Sequence, residues 1–146
     1  MDVEFKLDPT QTTPKITVTS AELTDEVRAL LLRLEHGHPT AITAMKGSQA
    51  VLLAPEQILR FFADGKTVSA QTQQDIFTVR ERLYELEELL DPHKFVRISH
   101  SEIVNLSHIT ALDLSLSGTI RMTLTGEVSC FVSRRSLKKI KQALNL

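Results

Sequence analysis

Apolar and polar positions change period several times along the chain, and each change marks a candidate element. Val3, Phe5 and Leu7 alternate with Asp2, Glu4, Lys6 and Asp8, the two-residue period of a half-buried strand, and Asp8-Pro9 ends the run. After a polar turn over residues 10–14, Ile16 and Val18 alternate with Thr17 and Thr19 and predict a second strand. Ser20 stands as an N-cap, with Glu22, Asp25 and Glu26 near the positive end of a helix. Leu23, Val27, Leu30, Leu31 and Leu34 follow at i, i+4, i+7, i+8 and i+11, one apolar stripe. His36-Gly37 supplies a C-terminal stop and Pro39 closes the exit. Residues 1–39 thus predict a β-β-α extension. It is too small to hold a core alone and is expected to pack or to dimerise.

From residue 40 onward the period is mostly two. Residues 41–45 and 50–54 flank Lys46-Gly47-Ser48, a hairpin connection, and Pro55-Glu56-Gln57 interrupts the run. Strands are predicted at 58–63 and 67–72 around the turn Asp64-Gly65, and at 76–79. Over 80–90 the period lengthens: Leu83, Leu86 and Leu90 recur at i, i+3 and i+7 between charged residues, a helix stopped by Asp91-Pro92. Strands return at 95–98 and 103–106 around Ser99-His100-Ser101, then at 109–116. A turn at Ser117-Gly118 leads to Ile120, Met122 and Leu124, and Thr125-Gly126-Glu127 turns into Val128, Cys130 and Val132. Ser133 then caps a last helix with Leu137, Ile140 and Leu144 on its apolar face. The expected fold is mostly β (α+β): an antiparallel body with one internal and one C-terminal helix.

Composition adds limits. The 146 residues suit one domain with a small appendage, and 42% hydrophobic with 24% charged residues describes an ordinary globular chain. A single Cys excludes an internal disulfide and fits a reducing compartment. The start lacks a basic segment followed by an apolar one, and no apolar run reaches bilayer length, so a cytoplasmic location is expected. The net charge of −1 argues against an anionic partner until it is resolved along the chain. Residues 1–92 carry 9 Lys+Arg against 15 Asp+Glu; residues 93–146 carry 8 against 3. Arg134, Arg135, Lys138, Lys139 and Lys141 crowd the last helix. Such an asymmetry points the basic end at an anion, or else describes a solvated helix face.

Candidate catalytic chemistry is sparse. No His pair stands at metal-ligand spacing beside Cys or a carboxylate, and His36-Gly37-His38 reads as a helix exit. Cys130 alternates with Val128 and Val132 and reads as core. Gly47, Gly65, Gly118 and Gly126 are single turn glycines, with no phosphate-cradling run among them. Glu85, Glu87 and Glu88 read as a solvated helix face. No enzyme, cofactor, metal or small-molecule substrate is expected. Arg134 and Arg135 are more telling. They fall in the first turn of a helix, where cations meet the positive end of the dipole at a cost of roughly 0.3–1 kcal/mol each. Uncapped amides beside two guanidinium groups favour an anion, phosphate above all, and Arg also forks onto guanine O6 and N7.

The segment Phe95-Val96-Arg97-Ile98-Ser99-His100-Ser101-Glu102-Ile103-Val104-Asn105-Leu106, then Ile109, then Val132-Ser133-Arg134-Arg135-Ser136-Leu137-Lys138, resembles the signature of the LytTR DNA-binding domain. The family pattern runs F-x-R-I-H-R-S-x-x-V-N, a spacer and isoleucine, a hairpin, then V-S-R-R. Ile58 to Phe62, Asp64-Gly65 and Leu83-Tyr84-Glu85-Leu86-Glu87 also fit, and the resemblance covers residues 40–146. It implies an elongated β domain of a bacterial transcription regulator, whose loops enter successive major grooves of promoter DNA. By position, the three loops fall at Lys66, at Ser99-His100-Ser101 and at Ser133-Arg134-Arg135. The resemblance assigns Arg135 and His100 to base or phosphate contact, Lys66 to the outer groove, and Lys138 and Lys139 to backbone phosphates. The family commonly has His then Arg or Asn where this chain has Ser99 then His100, and its loop after Gly65 is often longer.

Many relatives place this domain behind a phosphorylatable receiver of about a hundred residues or more. The segment before residue 40 has no room for one, so Asp2 and Asp8 are not receiver phosphoacceptors. The chain instead resembles the stand-alone regulators, which carry a short extension and often work beside a membrane-protein partner. Family members bind direct repeats, which implies a homodimer or two protomers pairing on double-stranded DNA. The alternative from a different class is an interaction or sensory module of the same fold that does not bind DNA.

Overall fold

The computed structural model describes residues 1–115 and 120–146, with only the backbone of His36. Two compact units are present, residues 1–37 and 38–146. In the first, a helix α1 spans Asp25–His36. Its N-cap is Thr24, whose Oγ1 accepts from the Val27 amide at 3.2 Å, while the Ser20 hydroxyl donates to the Glu22 carbonyl. The helix therefore starts later than expected, and Asp25 and Glu26 occupy its first turn. Gly37, at φ +69°, ends it, its backbone N–H donating a hydrogen bond to the Arg33 carbonyl. The turn expected after Leu7 is present: Asp8 accepts from the Thr10 amide and hydroxyl.

The two strands expected ahead of α1 do not form, so the extension is a turn and a helix rather than a β-β-α unit. Val3, Phe5 and Leu7 are 93%, 84% and 85% exposed. A strand persists only when neighbours take its N–H and C=O groups and one face is covered. Among the described residues neither condition is met for these runs.

Among the described residues the second unit carries ten strands, all paired antiparallel. Strands β1 (Ile42–Lys46), β2 (Gln49–Leu53), β3 (Arg60–Asp64), β4 (Thr67–Gln71), β5 (Ile76–Val79), β6 (Phe95–Ser99) and β7 (Glu102–Asn105) form one sheet, in the order β2-β1-β5-β4-β3-β7-β6. Strands β8 (Ile109–Asp113), β9 (Ile120–Leu124) and β10 (Val128–Val132) form a second, in the order β10-β9-β8. The turn expected at Ser117-Gly118 lies outside the described residues. Helix α2 (Leu83–Leu89) interrupts the strands and α3 (Arg134–Ala143) ends the chain. The mostly β, antiparallel body with an internal and a terminal helix is thus present.

The large sheet is buried on both faces near its β6 edge, because successive strand residues point opposite ways. On one side Phe61, Phe95 and Ile103 pack with Leu83, Leu86 and Leu90 from α2 and its C-cap. On the other, Leu59, Val96, Ile98 and Val104 pack with Met122, Leu124, Cys130 and Val132 of the small sheet and Ile140 of α3. The pair Ile103 and Val104 shows the switch within one step of the chain. Asn105, 1% exposed, locks the far end of β7: its Nδ2 donates to the Pro55 and Ile58 carbonyls, and its Oδ1 accepts from the Ser107 amide and hydroxyl.

Candidate nucleic-acid interface

Strand directions decide which loops share an end of the large sheet. Phe62 of β3 stands opposite Glu102 of β7, so the β3–β4 turn and the β6–β7 turn project from the same end. The Ala63 amide donates to the Ser101 carbonyl at 2.8 Å, carrying the pairing into the β6–β7 turn itself. On the other flank, the Ser133 amide donates to the Ile98 carbonyl at 2.8 Å, which brings the start of α3 beside the same turn. The three expected loops, far apart in sequence, are therefore joined by backbone hydrogen bonds at one end of the sheet.

Each loop is built by local chemistry. Gly65, at φ +61°, makes the tight β3–β4 turn that leaves Lys66 exposed. In the β6–β7 turn, the Ser101 amide donates to Ser99 Oγ at 3.3 Å and His100 lies exposed at the tip. Ser133 caps α3, its Oγ accepting from the Ser136 amide at 3.3 Å. Arg134, Lys138 and Lys141 then recur at i, i+4 and i+7 on one stripe, with Arg135 and Lys139 on the next. Leu137, Ile140 and Leu144 face the core. Arg134, Arg135, Lys138 and Lys139 are all exposed and Lys141 is half-buried.

Acidic groups around these loops are mostly neutralised by partners of their own. Glu102 pairs with Arg60 at 3.1 Å, both little exposed, and Arg60 also lies 4.5 Å from the Phe62 ring centroid. Glu87 of α2 takes an Arg97 Nη1 hydrogen bond at 2.9 Å and lies 3.9 Å from Lys139 Nζ. Asp64 stays exposed in the β3–β4 turn. Among the described residues, Lys66, Arg134, Arg135 and Lys138 have no carboxylate within ion-pair distance. The end of the sheet thus presents cations with their charge available. Lys139 differs, since part of its charge is already answered by Glu87.

Three residues without an assigned role also shape this end. Arg97 donates from Nε to the Ser99 carbonyl at 3.0 Å and from Nη2 to the His100 carbonyl. Its position inside an apolar strand, between Val96 and Ile98, was the available signal that it holds an internal partner. Glu85, Glu87 and Glu88 form an exposed acidic face, as expected, and two of them also take partners: Glu87 pairs as described, and Glu85 accepts from the Arg82 amide at 3.1 Å at the start of α2. Glu87's partners lie 10 and 52 residues ahead, beyond any helix periodicity. Cys130 is core, as expected: burial pushes its thiol up to about 12, and Sγ–H points at the Met122 carbonyl. Among the described residues no group of three or more His, Cys, Asp or Glu is arranged to hold a metal ion, and no helix is long and apolar enough to cross a membrane.

A family model for the LytTr DNA-binding domain matches residues 48–145. Over its full length the chain is 31% identical to proteins of Staphylococcus aureus strains NCTC 8325 and RF122, each covered over 99% of its own length. Both are named as uncharacterized HTH-type transcriptional regulators. A solved LytTr DNA-binding domain from Bacillus cereus superposes with a TM-score of 0.70 at 20% identity, covering 74% of this chain and 99% of that domain.

Proposed function

Because the chain belongs to the LytTR DNA-binding domain family, we propose that it is a DNA-binding transcription regulator that reads promoter DNA through loops in successive major grooves. One observation carries the reading: backbone hydrogen bonds gather the Lys66, His100 and Arg134–Arg135 loops at one end of the sheet, where Lys66, Arg134, Arg135 and Lys138 have no carboxylate within ion-pair distance among the described residues. A helix-turn-helix mode has no support in the described residues, because five strands separate α1 from α2 and five more separate α2 from α3.

In this reading Arg135 and His100 reach base edges or adjoining phosphates, and Lys66 touches the outer groove. Lys138, with a smaller share from Lys139, anchors the phosphate backbone. Two protomers occupy direct repeats, and residues 1–39 serve packing or dimerisation, with Val3, Phe5 and Leu7 as uncovered apolar surface. The test is mobility shift and footprinting on duplexes selected from a random pool by the wild-type chain. Arg135→Ala lowers affinity for the selected site by about tenfold, the low end of a lost base contact. A folded Arg135→Ala/His100→Ala double variant that keeps wild-type affinity for the selected site refutes the loop assignment.

A further inference from the structure

Behind the β6–β7 turn, charged side chains from β6, α2 and α3 meet. We propose that Arg97 and Glu87 are positioning residues for DNA recognition: Arg97 fixes the turn that presents His100, and Glu87 holds both Arg97 and Lys139. The consequence for DNA rests on the function proposed above; the positioning itself does not.

The β6–β7 ladder shifts register between Arg97 and Ser99, the point at which the strand enters the turn, with Ser99 paired to Glu102. The Arg97 guanidinium adds side-chain donors there. Nε and Nη2 donate to the Ser99 and His100 carbonyls, and Nη1 donates to Glu87 Oε2, so all three nitrogens are engaged. A planar fork can span two successive carbonyls and a carboxylate together; the single ammonium of Lys cannot. Glu87 follows Leu83 at i+4, so the burial of Leu83 and Leu86 by α2 turns its carboxylate toward β6.

Glu87 Oε1 also faces Lys139 at 3.9 Å, which links the second loop to the third. Lys139 and Arg97 share one carboxylate. A phosphate that draws Lys139 away leaves Glu87 wholly to Arg97 and tightens the hold on the turn. Backbone engagement by α3 is thereby coupled to the shape of the His100 loop.

The test has a DNA-free arm and a DNA arm, using the full chain. In the free protein, Arg97→Ala and Arg97→Lys shift the amide resonances of Ser99, His100 and Ser101 and speed their hydrogen exchange, while β9 amides stay in place. Unmoved turn amides in both variants overturn the positioning role. On DNA, Arg97→Lys keeps the charge, so binding to a scrambled duplex stays within about twofold while preference for the selected site falls by about tenfold. Glu87→Gln strengthens scrambled-duplex binding by about threefold and steepens its salt dependence, since an anion has left the basic end. Moved turn amides with unchanged preference overturn the link to recognition. A wild-type chain that prefers no duplex overturns the proposed function instead, and the free-protein arm still decides whether Arg97 sets the turn.

Discussion

Lys138 and Lys139 are neighbours on one helix with the same charge, yet the structure predicts different contributions to DNA binding. Lys138 has no carboxylate within ion-pair distance among the described residues, whereas Lys139 stands 3.9 Å from Glu87. Each phosphate neutralised by a free cation releases condensed counterions and adds about −0.9 to the slope of log K against log salt. With Lys66, Arg134, Arg135 and Lys138 available, one protomer contacts about four phosphates and has a slope near −3.6. Affinity then falls about 150-fold between 50 and 200 mM salt. Lys138→Ala brings the slope to about −2.7 and the fall to about 40-fold. Lys139→Ala removes a charge already shared, and the slope changes by less than about 0.5.

Fluorescence anisotropy on a short duplex carrying one site measures this at five or six salt concentrations, with one protomer per duplex to keep the slopes comparable. Both variants lower affinity for selected and scrambled sequences alike, because phosphate contacts position without specifying. A Lys139→Ala slope change equal to or larger than that of Lys138→Ala refutes the claim that Glu87 answers Lys139. A wild-type slope shallower than about −1 refutes the broader claim that this end of the sheet is the DNA face.

Three further outcomes follow from packing and titration. Asn105→Ala removes the donor to the Pro55 and Ile58 carbonyls and destabilises the fold by about 2–4 kcal/mol in urea unfolding. Asn105→Asp is worse than Ala, because it sets a buried acceptor against those carbonyls; equal or milder loss contradicts the assigned amide orientation. Cys130 resists iodoacetamide at pH 8 in the folded chain and reacts only on unfolding, since its thiol is raised to about 12; rapid labelling of native protein contradicts its burial. The His93 amide, followed by that ring, holds the Asp91 carboxyl below its usual range. A depressed carboxyl contributes stability above its unfolded pKa and loses it as pH falls through the folded value, so Asp91→Asn flattens the acid limb of a pH–stability curve below about pH 4. An unchanged acid limb removes Asp91 from that role.

Much of this architecture was legible because local patterns carried it. The hairpin around Gly47, the turn at Gly65, the Leu83–Leu86–Leu90 helix and the Ser133 cap each depend on residues within a few positions of one another. The expectations that failed did so for separate reasons. The alternation of Val3, Phe5 and Leu7 expresses a strand preference, but a strand needs a neighbour, and period alone does not supply one. Thr24 outcompeted Ser20 as the cap because the helix register was set by Val27 onward, where Thr24 Oγ1 can reach the Val27 amide. At the interface the same division holds. The cations of α3 were visible as a cluster, while Glu87's hold on Arg97 and Lys139 depends on how three elements pack.

In the proposed mode of binding, that packing lets loops take the place of an inserted recognition helix. A loop that must be ordered on binding loses affinity to its own conformational entropy, about 1–2 kcal/mol for each residue fixed. Here the ordering precedes DNA. The β3–β4 turn is bonded to Ser101, α3 is bonded to Ile98, and Arg97 holds the carbonyls between them. Hydrogen bonds thus join the three loops at one end of the sheet. A net charge of −1 conceals the cations there; of the acidic side chains beside them, Glu87 and Glu102 are committed to Arg97 and Arg60, while Asp64 stays exposed in the β3–β4 turn. In the proposed mode of binding DNA meets the remainder: an end of the sheet where, among the described residues, Lys66, Arg134, Arg135 and Lys138 have no carboxylate within ion-pair distance.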